Sequence, residues 1–141
     1  MTLDLYAENV LDHFRHPRGK LAVAAPTVTR KEENLSCGDG VTLSLRIEEN
    51  RIAAVGWEGQ GCAISQAGMS MLAEELAGKS VAEAETLTVD RMKALLGVPV
   101  GPRRFKCALL GLHALRNALR LAEGKPAQSW TETVGVDDSG F

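Results

Sequence analysis

Residues 41–58 read VTLSLRIEENRIAAVGWE, and this stretch decides the fold class. Val41, Leu43, Leu45 and Ile47 alternate with Thr42, Ser44 and Arg46, the period-two signature of a strand with one buried face. After Glu48, Glu49 and Asn50 a second run, 51–58, sets Ala53, Val55 and Trp57 on one face. The pair is expected as an antiparallel hairpin with one wet side. Upstream, Tyr6, Val10, Leu11 and Phe14 recur at helical spacing between Leu3 and Arg15, with Pro17 as a stop. The stretch 17–36 leaves room for one short strand near Val28 to Arg30.

Downstream every pattern is helical. Ile64, Ala67, Met71 and Leu72 line one face of a helix over Ala63 to Ala77, which Gly78 caps. Ser80 and Glu83 read as a capping box, and Val89, Met92, Leu95 and Leu96 continue helical spacing to Gly97. After a break at 97–102, Phe105, Leu109, Leu112, Leu115 and Leu119 form the stripe of a last helix that closes near Gly124. Residues 125–141, KPAQSWTETVGVDDSGF, carry no period and are expected as a loosely ordered tail. Strands followed by helices predict an α+β domain over residues 1–124, a small antiparallel sheet of about three strands covered on one face by helices.

Composition narrows the function. The 141 residues hold 45% apolar and 24% charged side chains, the balance of a single globular domain. Lys plus Arg number 16 against 18 Asp plus Glu, a net charge of −2, so no nucleic-acid partner is expected. The longest apolar stretches, such as 21–26, fall far short of the roughly 20 residues that span a bilayer. The N-terminus has no basic region followed by an apolar one, so no membrane partner is expected and a cytoplasmic location is the default.

Three cysteines stand out, at Cys37, Cys62 and Cys107, because an odd number cannot pair internally and reduced thiols are the rule in the cytoplasm. They are three inert thiols, one reactive thiol with two bystanders, or three ligands of one site. Their separations, 25 and 45 residues, match no zinc knuckle or C-x-x-C motif. Cys37 sits in SCGDG, between flexible glycines; Cys62 follows GQG at the start of a predicted helix; Cys107 falls in the first turn of another, beside Arg103, Arg104 and Lys106. A helix dipole and nearby cations favour the thiolate at the last two. Free cysteines are most often small hydrophobes, but none of the three falls on a main apolar stripe. The shared-site reading is therefore favoured, with Asp39 as the carboxylate that makes a Cys3Asp set fit to hold zinc or iron.

VLDHFRHPRG at 10–19, CGD at 37–39, GQGCAISQAGMSML at 59–72 and KCALLGLHAL at 106–115, in this order, resemble the U-type iron-sulfur cluster assembly proteins. That family includes IscU, SufU and the N-terminal part of NifU, and the likeness runs from about Tyr6 to about Ala122. It implies that residues 1–124 are one U-type scaffold domain. It also implies Cys37, Asp39, Cys62 and Cys107 as ligands for zinc or iron and for a transient [2Fe-2S] cluster. Cys107 and Cys37 are the candidate persulfide acceptors, a cysteine desulfurase is the implied sulfur donor, and downstream iron-sulfur carriers or clients are the implied recipients.

IscU-like members carry a histidine before the third cysteine, whereas this chain has Lys106. A protonated lysine has no lone pair for a metal, so Lys106 and Arg104 are expected only as auxiliary groups. GQGCAISQA and KCALLG resemble the SufU branch, associated with zinc and sulfur relay, but the insertion usual in SufU before the third cysteine is absent. Two readings stay open: a non-catalytic scaffold that assembles and transfers the cluster, or a zinc-dependent sulfurtransferase that moves only sulfur. Among the remaining residues, His113 lies six positions after Cys107, about 600° around a helix, and is expected as a non-ligand. His13 and His16 are expected to be solvated, Arg103, Arg104 and Lys106 to be solvated or to form an anion or partner patch, and Trp57, Met69 and Met71 to be core.

Overall fold

The hairpin forms as β2 (Asp39–Glu48) and β3 (Arg51–Gln60), joined by Glu49 and Asn50 in left-handed backbone conformation, as a two-residue turn requires. The structure, a computed structural model, describes residues 2–36 and 38–135, without the side chains of residues 2–7 and 103. β1 (Val28–Asn34) pairs antiparallel with β2 on its other side, giving a three-stranded antiparallel sheet in the order β1-β2-β3. Leu43 and Leu45 are fully buried on its inner face. Alternation breaks in β3 at Ala53, which has no partner between the Arg46–Ala54 and Ile47–Ile52 pairs. This one-residue bulge turns Ile52 inward and leaves Ala53 exposed, contrary to strict alternation from Ala53 to Trp57.

Among the described residues six α-helices, α1 (Thr2–Arg15), α2 (Ala63–Leu76), α3 (Val81–Glu85), α4 (Val89–Leu96), α5 (Phe105–Ala122) and α6 (Trp130–Val134), complete the α+β fold. α5 lies against β1 and β2, and α2 packs on α5, β3, α1 and α4. Trp57, Met69, Leu72, Leu76, Leu112 and Leu115 meet between these layers, so Trp57, Met69 and Met71 are core as expected. α5 is covered on both sides, so Lys106 to Leu115 are buried without a break rather than along one stripe. Ser80 and Glu83 form the capping box of α3. No helix is long and apolar enough to cross a membrane among the described residues.

Three expectations are corrected. α1 turns Val10 and His13 inward and leaves Leu11 and Phe14 exposed. His13 is not solvated, because its Nδ1 meets Ser70 Oγ at 2.8 Å on α2, while His16 is exposed. Burial and the Arg18 guanidinium hold His13 below the ordinary histidine value of 6.5, against the opposing charges of Glu74 and Asp12. Residues 125–135, expected to be loose, are held: Ser129 and Glu132 form a capping box, Gly135 closes α6, and Trp130 and Val134 are buried. Residues 136–141 lie outside the description.

Candidate metal centre

Asp39 opens β2, Cys62 is the N-cap of α2, and Cys107 is in the first turn of α5. The fold brings these three starting points to one end of the sheet. One carboxylate oxygen and the two sulfur atoms all lie within 4.8 Å of one another. A tetrahedral zinc with bonds of about 2.3 Å to sulfur and about 2.0 Å to oxygen needs donor separations of roughly 3.5–3.8 Å, so small side-chain adjustments bring the donors onto one ion. Two soft thiolates with a carboxylate suit zinc or iron rather than magnesium or calcium. Cys37 lies outside the described residues; its flanks, Ser36 and Gly38, are exposed, and the Gly38 N–H donates to the Asn34 carbonyl at 3.0 Å. A fourth ligand from this turn would complete the predicted set.

The carboxylate is positioned from two sides. Asp39 is 2% exposed, and its Oδ1 accepts the Cys62 N–H at 2.9 Å, an orphan donor of the α2 terminus. Its Oδ2 stands 3.9 Å from Cys62 Sγ. Gly61 makes this contact possible: with φ at +146°, a Cβ there would fall 2.1 Å from Asp39 Oδ1. Beside the site, a cleft of about 310 Å³ opens along the sheet between Lys31, Glu33, Asp39, Thr42 and Glu58.

Cys107 is 1% exposed, which corrects the expectation that it stands off the apolar face. Its helix, α5, is packed against β1 and β2 and against α2. Cys62 is half-buried. Lys106 is not a solvated group either: it is 5% exposed, with its Nζ 5.5 Å from the centre of the Trp130 ring, a cation–π contact. Arg104 is exposed. His113 engages both ring nitrogens outside this donor group. Its Nδ1 meets Thr133 Oγ1 at 2.6 Å, its Nε2 lies 3.1 Å from Glu32, and its ring stacks on Trp130 at 4.1 Å.

One neighbour of the centre has no signal of its own in the sequence. Asn34, the last residue of β1 and the strand partner of Asp39, is 2% exposed and points its Nδ2 at Cys107 Sγ, 3.8 Å away. The inner face of β1 is polar: Arg30, Glu32 and Asn34 face α5, where Glu32 accepts hydrogen bonds from Arg30 and Asn117. Burial acts to raise the Glu32 carboxyl, but the bonds from His113, Asn117 and Arg30 pull it down to about 2.

Residues 5–129 match the NifU-like N terminal domain. The chain is 28% identical over 137 residues to the zinc-dependent sulfurtransferase SufU of Bacillus subtilis, covering 85% of this chain and 92% of that protein. It is 33% identical over 134 residues to the iron-sulfur cluster assembly scaffold protein IscU of Thermotoga maritima, covering 82% and 93%. Among solved structures it is similar to the SufU chain of Fervidobacterium islandicum, with a TM-score of 0.71 at 28% identity, covering 82% of this chain and 97% of that one.

Proposed function

Since the chain belongs to the NifU-like N-terminal domain family, we propose that it is an iron-sulfur cluster assembly scaffold. In this reading it accepts sulfur from a cysteine desulfurase at a Cys3Asp site, then assembles a [2Fe-2S] cluster and passes it to carrier or client proteins in the cytoplasm. The observation that carries this reading is the convergence of Asp39, Cys62 and Cys107 donor atoms from three separate elements. The fit of these donors supports a site for zinc or iron held by Cys37, Asp39, Cys62 and Cys107. A bound ion would supply charge that keeps the thiols deprotonated and oriented.

Sulfur arrives as the outer atom of a desulfurase persulfide. A thiolate of this chain attacks that atom, the new S–S bond forms as the old one breaks, and the desulfurase cysteine leaves as its thiolate. Of the two candidate acceptors, Cys37 is the first choice. Its neighbours Leu35, at 85% exposure, Ser36 and Gly38 face solvent, whereas Cys107 is 1% exposed. Asp39, the single oxygen donor, would be the ligand that exchanges most readily on a bound ion and would so open a position for incoming iron or sulfur. Lys106, which precedes Cys107 in the chain, and Arg104 are the auxiliary groups of this reading.

The alternative, a zinc-dependent sulfurtransferase that relays sulfur without holding the cluster, is favoured by Lys106 in place of a histidine ligand and by the SufU likeness. Anaerobic incubation with a desulfurase, cysteine, a thiol reductant and ferrous iron separates the two. The scaffold reading expects visible absorption from a cluster with two irons per site. Retained zinc with a trapped persulfide on Cys37 and no cluster would overturn it in favour of the relay. If the three single Cys→Ser variants all kept metal and persulfide formation, both readings would fall.

A further inference from the structure

The seam between β1 and α5 ends at the metal centre, and its last contact is between a side-chain amide and a ligand sulfur. Glu32 is tied to His113 and Asn117, so the register of β1 over α5 is fixed at two points of the helix. Asn34 lies two residues further along the same strand face and meets Cys107 Sγ. Asn34 also accepts the Gly38 N–H on its carbonyl and pairs with Asp39 across the strands. One residue thus touches Gly38, the strand position of Asp39 and the sulfur of Cys107.

We infer that Asn34 is the positioning residue of the centre: its side-chain N–H donates to the Cys107 sulfur and fixes that cysteine as the anchored ligand, leaving sulfur acceptance to another cysteine. This rests on the reading of Cys37, Asp39, Cys62 and Cys107 as one metal site. The chemistry follows from the bond itself. An amide N–H directed at a thiolate withdraws electron density from sulfur, orients its remaining lone pairs and makes it a poorer nucleophile without removing it from the metal. Asn34 is 2% exposed, so water cannot replace the donor when it is lost.

Cobalt binding to the reduced, metal-free protein provides the test, with zinc affinity measured by competition with a chromophoric chelator. Asn34→Leu keeps the approximate shape and removes the donor. The expected result is a thiolate-to-cobalt charge-transfer band moved to lower energy, because the sulfur orbitals rise without the hydrogen bond, and zinc affinity about 10- to 100-fold weaker. In a Cys107→Ala background the same substitution is expected to change neither quantity. An unchanged band in Asn34→Leu, or an equal loss of affinity with and without Cys107, would overturn the inference and leave the metal site standing. A wild-type protein that binds neither cobalt nor zinc would overturn the metal-site reading itself. The unsubstituted protein gives a second readout: loaded with ¹¹³Cd, it is expected to show a coupling between cadmium and an Asn34 amide proton through the sulfur. Bound cadmium without that coupling would contradict the assignment.

Discussion

At Gly61 the backbone and the ligand set constrain each other. Its φ of +146° is closed to side-chain-bearing residues, and the space a Cβ would need belongs to Asp39. Gly61→Ala is therefore expected to displace the carboxylate and weaken zinc binding at least about tenfold. Chelator competition checks this, and circular dichroism verifies that the fold persists. The glycine was legible in GQGC as a sign of tight backbone, and Cys62 as a helix start, because both are local signals. The burial of Cys107 was not, because it depends on what covers α5 from both sides. Nor was Asn34, whose partner sulfur is 73 residues away. His13 is a similar case: its position on α1 is local, but its buried partner, Ser70, is 57 residues away.

Between elements, the seam of β1 and α5 shows why one strand was hard to read. VTRKEEN has no apolar alternation, yet it is a seven-residue strand on which Glu32 and Asn34 meet polar groups of α5 and Arg30 pairs with Glu32. A period-two pattern of polar side chains carries no hydrophobic signal, so only its first few residues were expected as strand. The seam has a pH signature. Glu32 titrates at about 2 in the folded chain against an ordinary value of 4.5. The unfolded chain therefore takes up the proton first as pH falls. Stability from this group is complete above about 4.5 and is lost between there and about 2, by about 3 kcal/mol in total. Urea unfolding of the metal-free protein across this range is expected to show that loss, and Glu32→Gln is expected to flatten it. α6 teaches the complementary lesson: Ser129 and Glu132 are a capping box that local reading could have found, but its hold on α5 runs through the stack of Trp130 on His113.

For the whole molecule, the sheet and its helical cover were legible because hairpin alternation, glycine caps and helical spacing all pointed to one α+β arrangement. Their function is to deliver chain ends to one place: the start of β2, the start of α2 and the start of α5 each present one donor at the same end of the sheet. A cysteine count that looks odd as a set of disulfides becomes even in the proposed site, where Asp39 would be the fourth ligand. In the proposed site all three thiols and this carboxylate bind one ion. X-ray absorption at the zinc edge of the zinc-loaded protein tests it most directly. Three sulfur neighbours at about 2.3 Å and one oxygen at about 2.0 Å are expected; a shell with fewer than three sulfurs, or with imidazole scattering in place of the carboxylate oxygen, would overturn the four-ligand site.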